Sequence, residues 1–446
     1  VIREFDLTTK AFVAGGFTLP EAKGGISWID SDTLYVSTDF GDGSLTDSGY
    51  PRIVKLWKRG EALSAATEVY RGAKIDMSAG SWVYDNGEER YRFVYRRPTF
   101  YSGEYFWHVD SGELIPVPIP NDANLVGVFK GRVVYSLRTE LKSAAKNFAA
   151  GSLLALPMSE VRKGAAAVPE LLFAPTKKRF LSEVSLTKNT ILIDVLDNVK
   201  GKILRVTPSG EGKWKSEILP FGGNGMASVM STEVSSDLFL ASYMDFLTPT
   251  TVNLGDAGKA GGAVELLKAS PSRFDASDLV SFQREAVSKD GTRIPYFIVH
   301  KKSLKKDGKN PTVLYGYGGF ELPSTPRYSG VIGKSWLERG GVFVLANIRG
   351  GGEFGPAWHE AARKENRQRS YDDFIAVAES LIKTKVTSPR HLGIQGGSNG
   401  GLLVGATFVQ RPDLFNAVLC EVPLLDMLRY HRLLAGASWM AEYGNP

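Results

Sequence analysis

Hydrophobic residues follow two different rhythms along this chain of 446 residues. As far as about residue 273 they form short β-rich runs with almost no helical period, among them TLYVST at 33–38, RVVYSL at 132–137 and TILIDVL at 190–196. Turn-forming residues separate the runs, for example in the glycine-rich stretch 222–225. Regularly spaced short strands with such turns are typical of an all-β sandwich, barrel or propeller.

The length of this β-rich part favours one of the three architectures. Residues 1–273 exceed the length of a single sandwich, but they suit a propeller of several blades at roughly 40–50 residues each. No short repeat motif recurs at that spacing, so the interpretation rests on rhythm and length. We therefore predict a β-propeller domain over residues 1–273.

Beyond this point strand-like runs alternate with helical periods. A hairpin is predicted around the turn Asp290-Gly291. Apolar residues at helical spacing over 374–382 predict a helix with Ser370 as its N-cap, and a second helix is predicted to begin at Asn399. Strands that alternate with helices indicate a parallel sheet. We therefore predict an α/β domain over residues 274–446.

Composition and charge exclude several classes of protein. Hydrophobic residues make up 43% and charged residues 23%, which excludes disorder, collagen-like repeats and coiled coil as the main state. The 54 Lys and Arg residues against 48 Asp and Glu residues give a net charge of +6, but the two signs are interspersed, so we predict no nucleic-acid partner. No apolar stretch reaches about 18 residues, so no membrane span is predicted. The single cysteine, Cys420, excludes an intramolecular disulfide, and we expect it in the core.

The strongest chemical signal is Gly396-Gly397-Ser398-Asn399-Gly400, which fits the pattern G-x-S-x-G between a predicted strand and a predicted helix. A sharp strand-to-helix turn of this kind exposes the serine hydroxyl at the carboxyl edge of a sheet. The helix that begins at Asn399 points free N–H groups at the same place, where they suit a developing oxyanion. Ser398 is therefore the candidate nucleophile.

A serine nucleophile needs a base, and the sequence shows no evident one. After Ser398 the only histidine is His431, which stands five residues after Asp426 in a predicted helix. Separate strand-end loops normally supply the acid and the base, so we do not expect Asp426 and His431 to fill these roles. No cluster of His, Cys, Asp and Glu has the spacing of metal ligands, and no nucleotide fingerprint is present. We therefore predict neither a metal nor a cofactor.

Two glycine-rich loops leave strand ends in the same domain, YGYGGF at 315–320 and NIRGGGE at 347–353. Each pattern fits a substrate-contacting loop and a plain glycine turn about equally well. The residues alone leave both interpretations open.

Several motifs in order together resemble a known family. LYGYGGF at 314–320, ANIRGGGEFG at 346–355, GGSNGG at 396–401, QRPDLF at 410–415 and WMAEYG at 439–444 are similar to those of the prolyl oligopeptidase (prolyl endopeptidase) family of serine peptidases. The resemblance is strong from about residue 285 onward, and over the β-rich part it rests on architecture. It implies an α/β-hydrolase domain covered by a seven-bladed β-propeller that admits only short peptides, and cleavage on the carboxyl side of proline.

The resemblance also implies roles for individual residues. Ser398 would be the nucleophile, and the backbone N–H of Asn399 and the hydroxyl of Tyr317 would form the oxyanion hole. Trp439, which otherwise reads as a core aromatic, would stack on the proline ring, with Phe320 and Tyr443 lining the pocket. An apolar slot between aromatic faces suits a pyrrolidine ring, which has no N–H to satisfy.

Departures from the family concern both ends of the chain. The family's catalytic Asp and His lie downstream of the WMAEYG motif, whereas this sequence stops at Pro446 and begins with Val1 rather than Met. We therefore expect an incomplete propeller, an incomplete hydrolase domain and, for the 446 residues as given, no activity. A relaxed-specificity serine peptidase or esterase, or an inactive propeller–hydrolase, remains as an alternative. A monomer in the cytoplasm that binds short peptides is expected.

Overall fold

The computed structural model describes residues 1–143, 146–210, 212–221, 223 and 225–446. The glycine-rich turn predicted at 222–225 therefore lies partly outside the described residues. Four short strands open the chain: β1 (Ile2–Arg3), β2 (Phe5–Asp6), β3 (Ala11–Phe12) and β4 (Thr18–Leu19). Strand β1 pairs with β4 and β2 pairs with β3, both antiparallel.

Three antiparallel sheets of four strands follow in the β-rich part. The first contains β5 (Gly25–Trp28), β6 (Thr33–Ser37), β7 (Ile53–Lys58) and β8 (Thr67–Arg71). The second contains β9 (Ser78–Asp85), β10 (Arg90–Thr99), β11 (Ser102–His108) and β12 (Leu114–Pro116). The third contains β13 (Asn124–Val128), β14 (Arg132–Ser136), β17 (Leu153–Pro157) and β18 (Glu170–Phe173), with the small hairpin β15 (Leu141–Lys142) and β16 (Asn147–Phe148) between its second and third strands.

Two further groups of four antiparallel strands complete the β-rich part. The fourth contains β19 (Arg179–Leu186), β20 (Ile191–Asp197), β21 (Lys200–Gly210) and β22 (Lys213–Ile218). The fifth contains β23 (Met226–Thr232), β24 (Leu238–Met244), β25 (Thr251–Asp256) and β26 (Glu265–Ala269). A single parallel pair, Gly201 with Met226, joins these two groups.

The sheets of the β-rich part pack face to face, which explains its continuous apolar runs. Val134 and Leu153 of the third sheet share one buried cluster with Ile191 and Ile193 of the fourth. Strand β20 is buried at six consecutive positions because one of its faces packs on the third sheet and the other on the fifth. A strand covered on both faces therefore reads as an uninterrupted apolar run rather than an alternating one.

The α/β domain is built on a six-stranded sheet. Its strands are β27 (Leu279–Val287), β28 (Arg293–Lys301), β29 (Thr312–Tyr315), β30 (Val342–Ala346), β31 (Leu392–Gly397) and β32 (Ala417–Glu421). The order across the sheet is β27-β28-β30-β29-β31-β32. The four strands β30, β29, β31 and β32 pair in parallel, as predicted, but β27 and β28 join antiparallel because a tight turn at Asp290-Gly291 connects them.

Two long helices pack on this sheet, and the other helices of the described residues are short. The α-helices are α1 (Met158–Val161), α2 (Gly330–Ile332), α3 (Pro356–Glu360), α4 (Gln368–Lys383), α5 (Asn399–Gln410) and α6 (Met440–Tyr443), with a π-helical turn at Gly333–Leu337. Short 3₁₀ turns lie at Leu63–Ala65, Gly164–Ala166, Ala260–Ala263, Lys364–Asn366, Pro389–His391, Pro412–Leu414, Tyr430–Arg432 and Gly436–Trp439. No helix within the described ranges is both long and apolar enough to span a membrane.

Two local predictions are wrong. Helix α4 begins at Gln368, so Ser370 is not its N-cap: the hydroxyl is buried inside the helix and donates to the backbone oxygen of Arg349 at 2.7 Å. The segment from Asp426 to His431 forms turns and one 3₁₀ turn instead of a helix. Leu428 there is 81% exposed, so no apolar face is buried to stabilise a helix.

Along the chain, a short segment without strands connects the β-rich part to the α/β domain. The last strand of the β-rich part ends at Ala269, and the first strand of the α/β sheet begins at Leu279. The predicted boundary at residues 273 and 274 falls within that segment. Cys420, on β32, is only partly buried: it packs against the α/β core, and its thiol donates to the backbone oxygen of Gly401 at 3.3 Å.

Candidate active site

Ser398 occupies a sharp turn between strand β31 and helix α5. Its backbone has φ 57° and ψ −117°, a left-handed conformation that costs energy for any residue other than glycine. Its N–H donates to the backbone oxygen of Glu421 at 3.0 Å, which anchors the turn to strand β32. The residue itself is exposed. The turn therefore has the geometry that presents a serine hydroxyl at the carboxyl edge of the sheet.

Glycines make this turn possible because the backbone passes close to itself. A Cβ atom on Gly396 would lie 2.2 Å from the oxygen of Gly400, and one on Gly400 would lie 2.7 Å from the oxygen of Gly316. Both distances are shorter than any ordinary contact. A side chain on Gly396 would clash inside the turn itself, and one on Gly400 would push the turn away from the loop that follows β29.

The hydroxyl of Tyr317 lies beside the serine. Burial raises the pKa of the Tyr317 phenol, although the nearby Ser398 side chain opposes the rise. The phenol is therefore neutral at physiological pH and able to donate. The N–H of Asn399, as the first residue of α5, has no partner within the helix. Tyr317 and Asn399 thus each offer a donor next to Ser398, the kind of arrangement that an oxyanion hole would use.

The side chain of Asn399 ties three parts of the site together. It is 2% exposed, and its Nδ2 donates to the backbone oxygen of Tyr317 at 2.6 Å. Its Oδ1 accepts from the hydroxyl of Tyr443 at 2.9 Å. From the sequence we predicted a role only for the backbone N–H of Asn399, not for its side chain. An amide was the one available signal, because it can donate and accept at once.

Phe320 and Tyr443 meet in an aromatic cluster next to this site. Their rings pack edge to face with centroids 5.6 Å apart. Phe100, from the turn after β10, also packs edge to face on Phe320, with ring centroids 5.7 Å apart. Trp439 lies one turn before Tyr443 but, within the described residues, forms no ring pair with Phe320 or Tyr443. The structure thus brings together two of the three predicted pocket residues.

A cavity of about 350 Å³ opens beside the aromatic cluster, between the β-rich part and the α/β domain. Phe100 and Tyr101 line it from the β-rich side, and Phe320 and Pro323 line it from the other. Its walls mix apolar rings with charged groups. A peptide in this cavity would contact both parts of the molecule.

In the part of the chain that the structure describes, no histidine forms a hydrogen bond with Ser398. His431 accepts a bond from Arg432 at 3.2 Å, and Asp426 pairs with Arg429 instead of with His431. His359 is completely buried and bonded to Glu442. Across the same residues no three His, Cys, Asp or Glu side chains gather where they could hold a metal ion.

Arg349 and its neighbours have a structural role in the second glycine-rich loop. The Arg349 side chain is buried, with Nε 2.9 Å from Oδ2 of Asp373 on helix α4, and its guanidinium also pairs with Asp290 at the β27–β28 turn. Ser288 donates to the same Asp373 carboxylate at 2.6 Å. Asp373 is therefore a buried partner of this arginine.

Two family models match this chain, one over each of its two parts. Residues 1–264 match the family model described as prolyl oligopeptidase, N-terminal beta-propeller domain, and residues 329–446 match the model of the prolyl oligopeptidase family. The chain belongs to the prolyl oligopeptidase family. The prediction of a β-propeller followed by an α/β-hydrolase domain is thereby confirmed.

Similar proteins include several peptidases. An uncharacterized peptidase of Sinorhizobium fredii is 45% identical over 454 residues, which cover 100% of this chain and 62% of that protein. A prolyl endopeptidase of Elizabethkingia meningoseptica is 40% identical over 260 residues, or 57% of this chain and 35% of that protein. The structure of a post-proline cleaving enzyme from Rickettsia typhi superposes with a TM-score of 0.93 at 38% identity, covering 100% of this chain and 66% of that one. The chain thus spans less than two thirds of the length of these relatives.

Proposed function

We propose that the whole protein is a serine peptidase that cleaves short peptides on the carboxyl side of proline. The observation that carries this proposal is the left-handed turn at Ser398, with the Tyr317 side chain next to the serine and the Phe320–Tyr443 aromatic pair in the same site. Similarity to proteins named prolyl endopeptidase and post-proline cleaving enzyme supports the substrate class.

The reaction is an acyl transfer through Ser398. Its Oγ attacks the carbonyl carbon of the proline residue while a base takes the hydroxyl proton, and the carbonyl oxygen becomes an oxyanion that Tyr317 and the Asn399 N–H stabilise. The carbon–nitrogen bond then breaks, the amine leaves with a proton, and water hydrolyses the acyl-enzyme. The proline ring lies against the aromatic faces of Phe320 and Tyr443, with Trp439 stacked on it.

Removing the Trp439 ring tests the proline preference. Because that ring supplies apolar contact to a pyrrolidine but little to a methyl group, Trp439→Ala is expected to lower kcat/KM for a prolyl reporter roughly 10–100-fold. A matched alanyl reporter with the same leaving group should change less than about threefold. The measurement is steady-state hydrolysis of both reporters by the whole protein, with Trp28→Ala as control, because Trp28 is 42% exposed in the propeller.

A relaxed-specificity peptidase or esterase is the second candidate. The observation in its favour is that Trp439 makes no ring pair with the other pocket aromatics among the described residues. Under this alternative, Trp439→Ala lowers hydrolysis of both reporters to the same extent, and the wild-type protein hydrolyses them at similar rates.

Residues 1–446 on their own are proposed to be inactive. A serine hydroxyl without a base is a weak nucleophile, and no histidine of the described residues bonds to Ser398. A peptidyl phosphonate should therefore label Ser398 in this polypeptide at least about a thousandfold more slowly than in the whole protein. Labelling followed by intact-mass spectrometry measures both rates. Equal rates would mean that a base within these residues activates Ser398.

A further inference from the structure

A buried carboxylate lies between the propeller and the substrate pocket, and the mechanism above gives it no role. Glu442 is 1% exposed and lies on α6, directly before the pocket residue Tyr443. Donors from four separate parts of the chain reach its oxygens: the N–H of Phe320 to Oε1 at 3.0 Å, Nε2 of His359 to Oε2 at 2.6 Å, the hydroxyl of Tyr101 to Oε2 at 2.5 Å, and the guanidinium of Arg367 to Oε1.

The Glu442 carboxylate is ionised and depends on these donors. Burial on its own would raise its pKa, but the hydrogen bond from His359 and the positive charge of Arg367 outweigh burial and lower the pKa from 4.5 to about 2. An ionised carboxylate only accepts hydrogen bonds. A missing donor therefore leaves a buried negative charge partly unsatisfied, which costs more than losing an exposed bond.

On the pocket side, Glu442 holds the backbone that carries Phe320. Phe320 has φ 55°, a left-handed conformation that a phenylalanine rarely adopts, and its N–H is the one accepted by Oε1. Arg367 completes the support because it donates to the backbone oxygen of Gly318 at 2.7 Å as well as to Glu442. Backbone bonds from Glu321 and Leu322 also hold this strained turn, but the Phe320 N–H itself is accepted by the Glu442 carboxylate.

On the propeller side, one residue contacts the carboxylate directly and a second contacts it through His359. Tyr101, in the turn between β10 and β11, donates to it directly. Arg138 stacks over the Tyr101 ring at 4.1 Å and donates to Nδ1 of His359. Arginine can only donate, so Nδ1 of His359 is the acceptor of that bond, and Nε2 of the same ring donates to Glu442. Both routes exist only while the propeller is docked on the hydrolase domain.

We propose that Glu442 is a positioning residue that makes the shape of the substrate pocket depend on docking of the propeller. Tyr101 completes the donors of the carboxylate, and the carboxylate keeps the Phe320 turn in its left-handed form. When the propeller moves away, Glu442 loses Tyr101, the turn at Phe320 relaxes, and the pocket loses its fit for the residue before the cut. This inference rests on the proposed function, because it assigns Phe320 to that pocket.

Hydrogen exchange at the Phe320 amide tests the coupling without any substrate. In the whole protein, Tyr101→Phe removes the hydroxyl and keeps the ring under Arg138, so exchange at Phe320 should become about tenfold faster. The matched control is Tyr105→Phe: Tyr105 lines the same cavity and, among the described residues, makes no side-chain hydrogen bond. Overlapping peptic fragments resolve the Phe320 amide by mass spectrometry.

Kinetics on the prolyl reporter supply the second measurement. Tyr101→Phe should raise KM about five- to tenfold and change kcat less than about twofold, because the pocket is loosened while the serine and its oxyanion donors stay in place. Glu442→Gln should also raise KM, and by a larger factor than Tyr101→Phe. The double variant should be no worse than Glu442→Gln alone, because both changes act through one carboxylate.

These results separate the inference from the proposed function. Exchange at Phe320 that is unchanged in Tyr101→Phe, or that accelerates equally in Tyr105→Phe, overturns the role of Glu442. Fully additive kinetic effects of the two variants overturn it as well. Faster exchange in Tyr101→Phe alone supports the coupling, and if the wild-type protein then shows no preference for prolyl reporters, the proposed function fails while the coupling stands.

Discussion

Replacing Ser398 with alanine is expected to abolish peptide hydrolysis by the whole protein, with kcat falling about a millionfold. The physical reason is that Ser398 supplies the only atom that forms the acyl-enzyme, so its removal leaves the oxyanion donors with no intermediate to stabilise. The measurement is hydrolysis of a fluorogenic prolyl peptide, followed to the detection limit with protein purified away from wild-type enzyme.

The fold should survive this change. The Ser398 side chain is exposed, and alanine removes only a hydroxyl, so the melting temperature is expected to stay within a few degrees of wild type. Ser335→Ala is the matched control, because Ser335 is an exposed serine of the same domain whose hydroxyl donates to the backbone oxygen of Val331. Activity of Ser398→Ala within tenfold of wild type would show that another group is the nucleophile.

Tyr317→Phe is expected to lower kcat by about 10²–10³ while KM changes little. The Tyr317 side chain lies next to Ser398, and burial keeps the phenol protonated, so it is ready to donate to the oxyanion. Phenylalanine keeps the ring and removes the donor, so the loss falls on the transition state rather than on substrate binding. Steady-state kinetics with saturating prolyl reporter give the two parameters separately.

Tyr315→Phe serves as the control for that substitution. Tyr315 lies two residues earlier, is also partly buried, and makes no side-chain hydrogen bond within the described residues. Its loss of a hydroxyl should leave kcat nearly unchanged. A raised KM with normal kcat in Tyr317→Phe would instead assign this tyrosine to substrate binding and remove it from the oxyanion hole.

The features that were predicted from sequence are local ones. The serine turn and helix α5 follow from residues within about ten positions of one another: glycines that permit the close approach, a serine between them and an apolar helical stretch after Asn399. Alternation of strands and helices likewise gave the parallel part of the sheet. Each of these signals lies within a single element and its neighbours, so composition and periodicity report it directly.

The features that were missed depend on contacts between distant residues. Tyr101 and Glu442 are 341 positions apart, and neither stands in a motif that links it to the other. Ser370 was assigned as an N-cap because serine commonly caps helices, but a carbonyl from the loop of Arg349 accepts its hydroxyl bond instead. A local rule gives way wherever tertiary structure supplies a better partner. Glu442 carried one faint signal, a charge inside the apolar segment WMAEYG.

Covalent trapping with paired inhibitors tests at once whether Ser398 is the nucleophile and whether the pocket prefers proline. The whole protein is treated with a peptidyl phosphonate that ends in a proline analogue and, separately, with its alanine counterpart, and the modified residue is mapped by mass spectrometry. We predict a single adduct on Ser398 that forms at least about tenfold faster with the proline analogue than with the alanine counterpart. An adduct at any other residue, or equal rates for the two inhibitors, would contradict it.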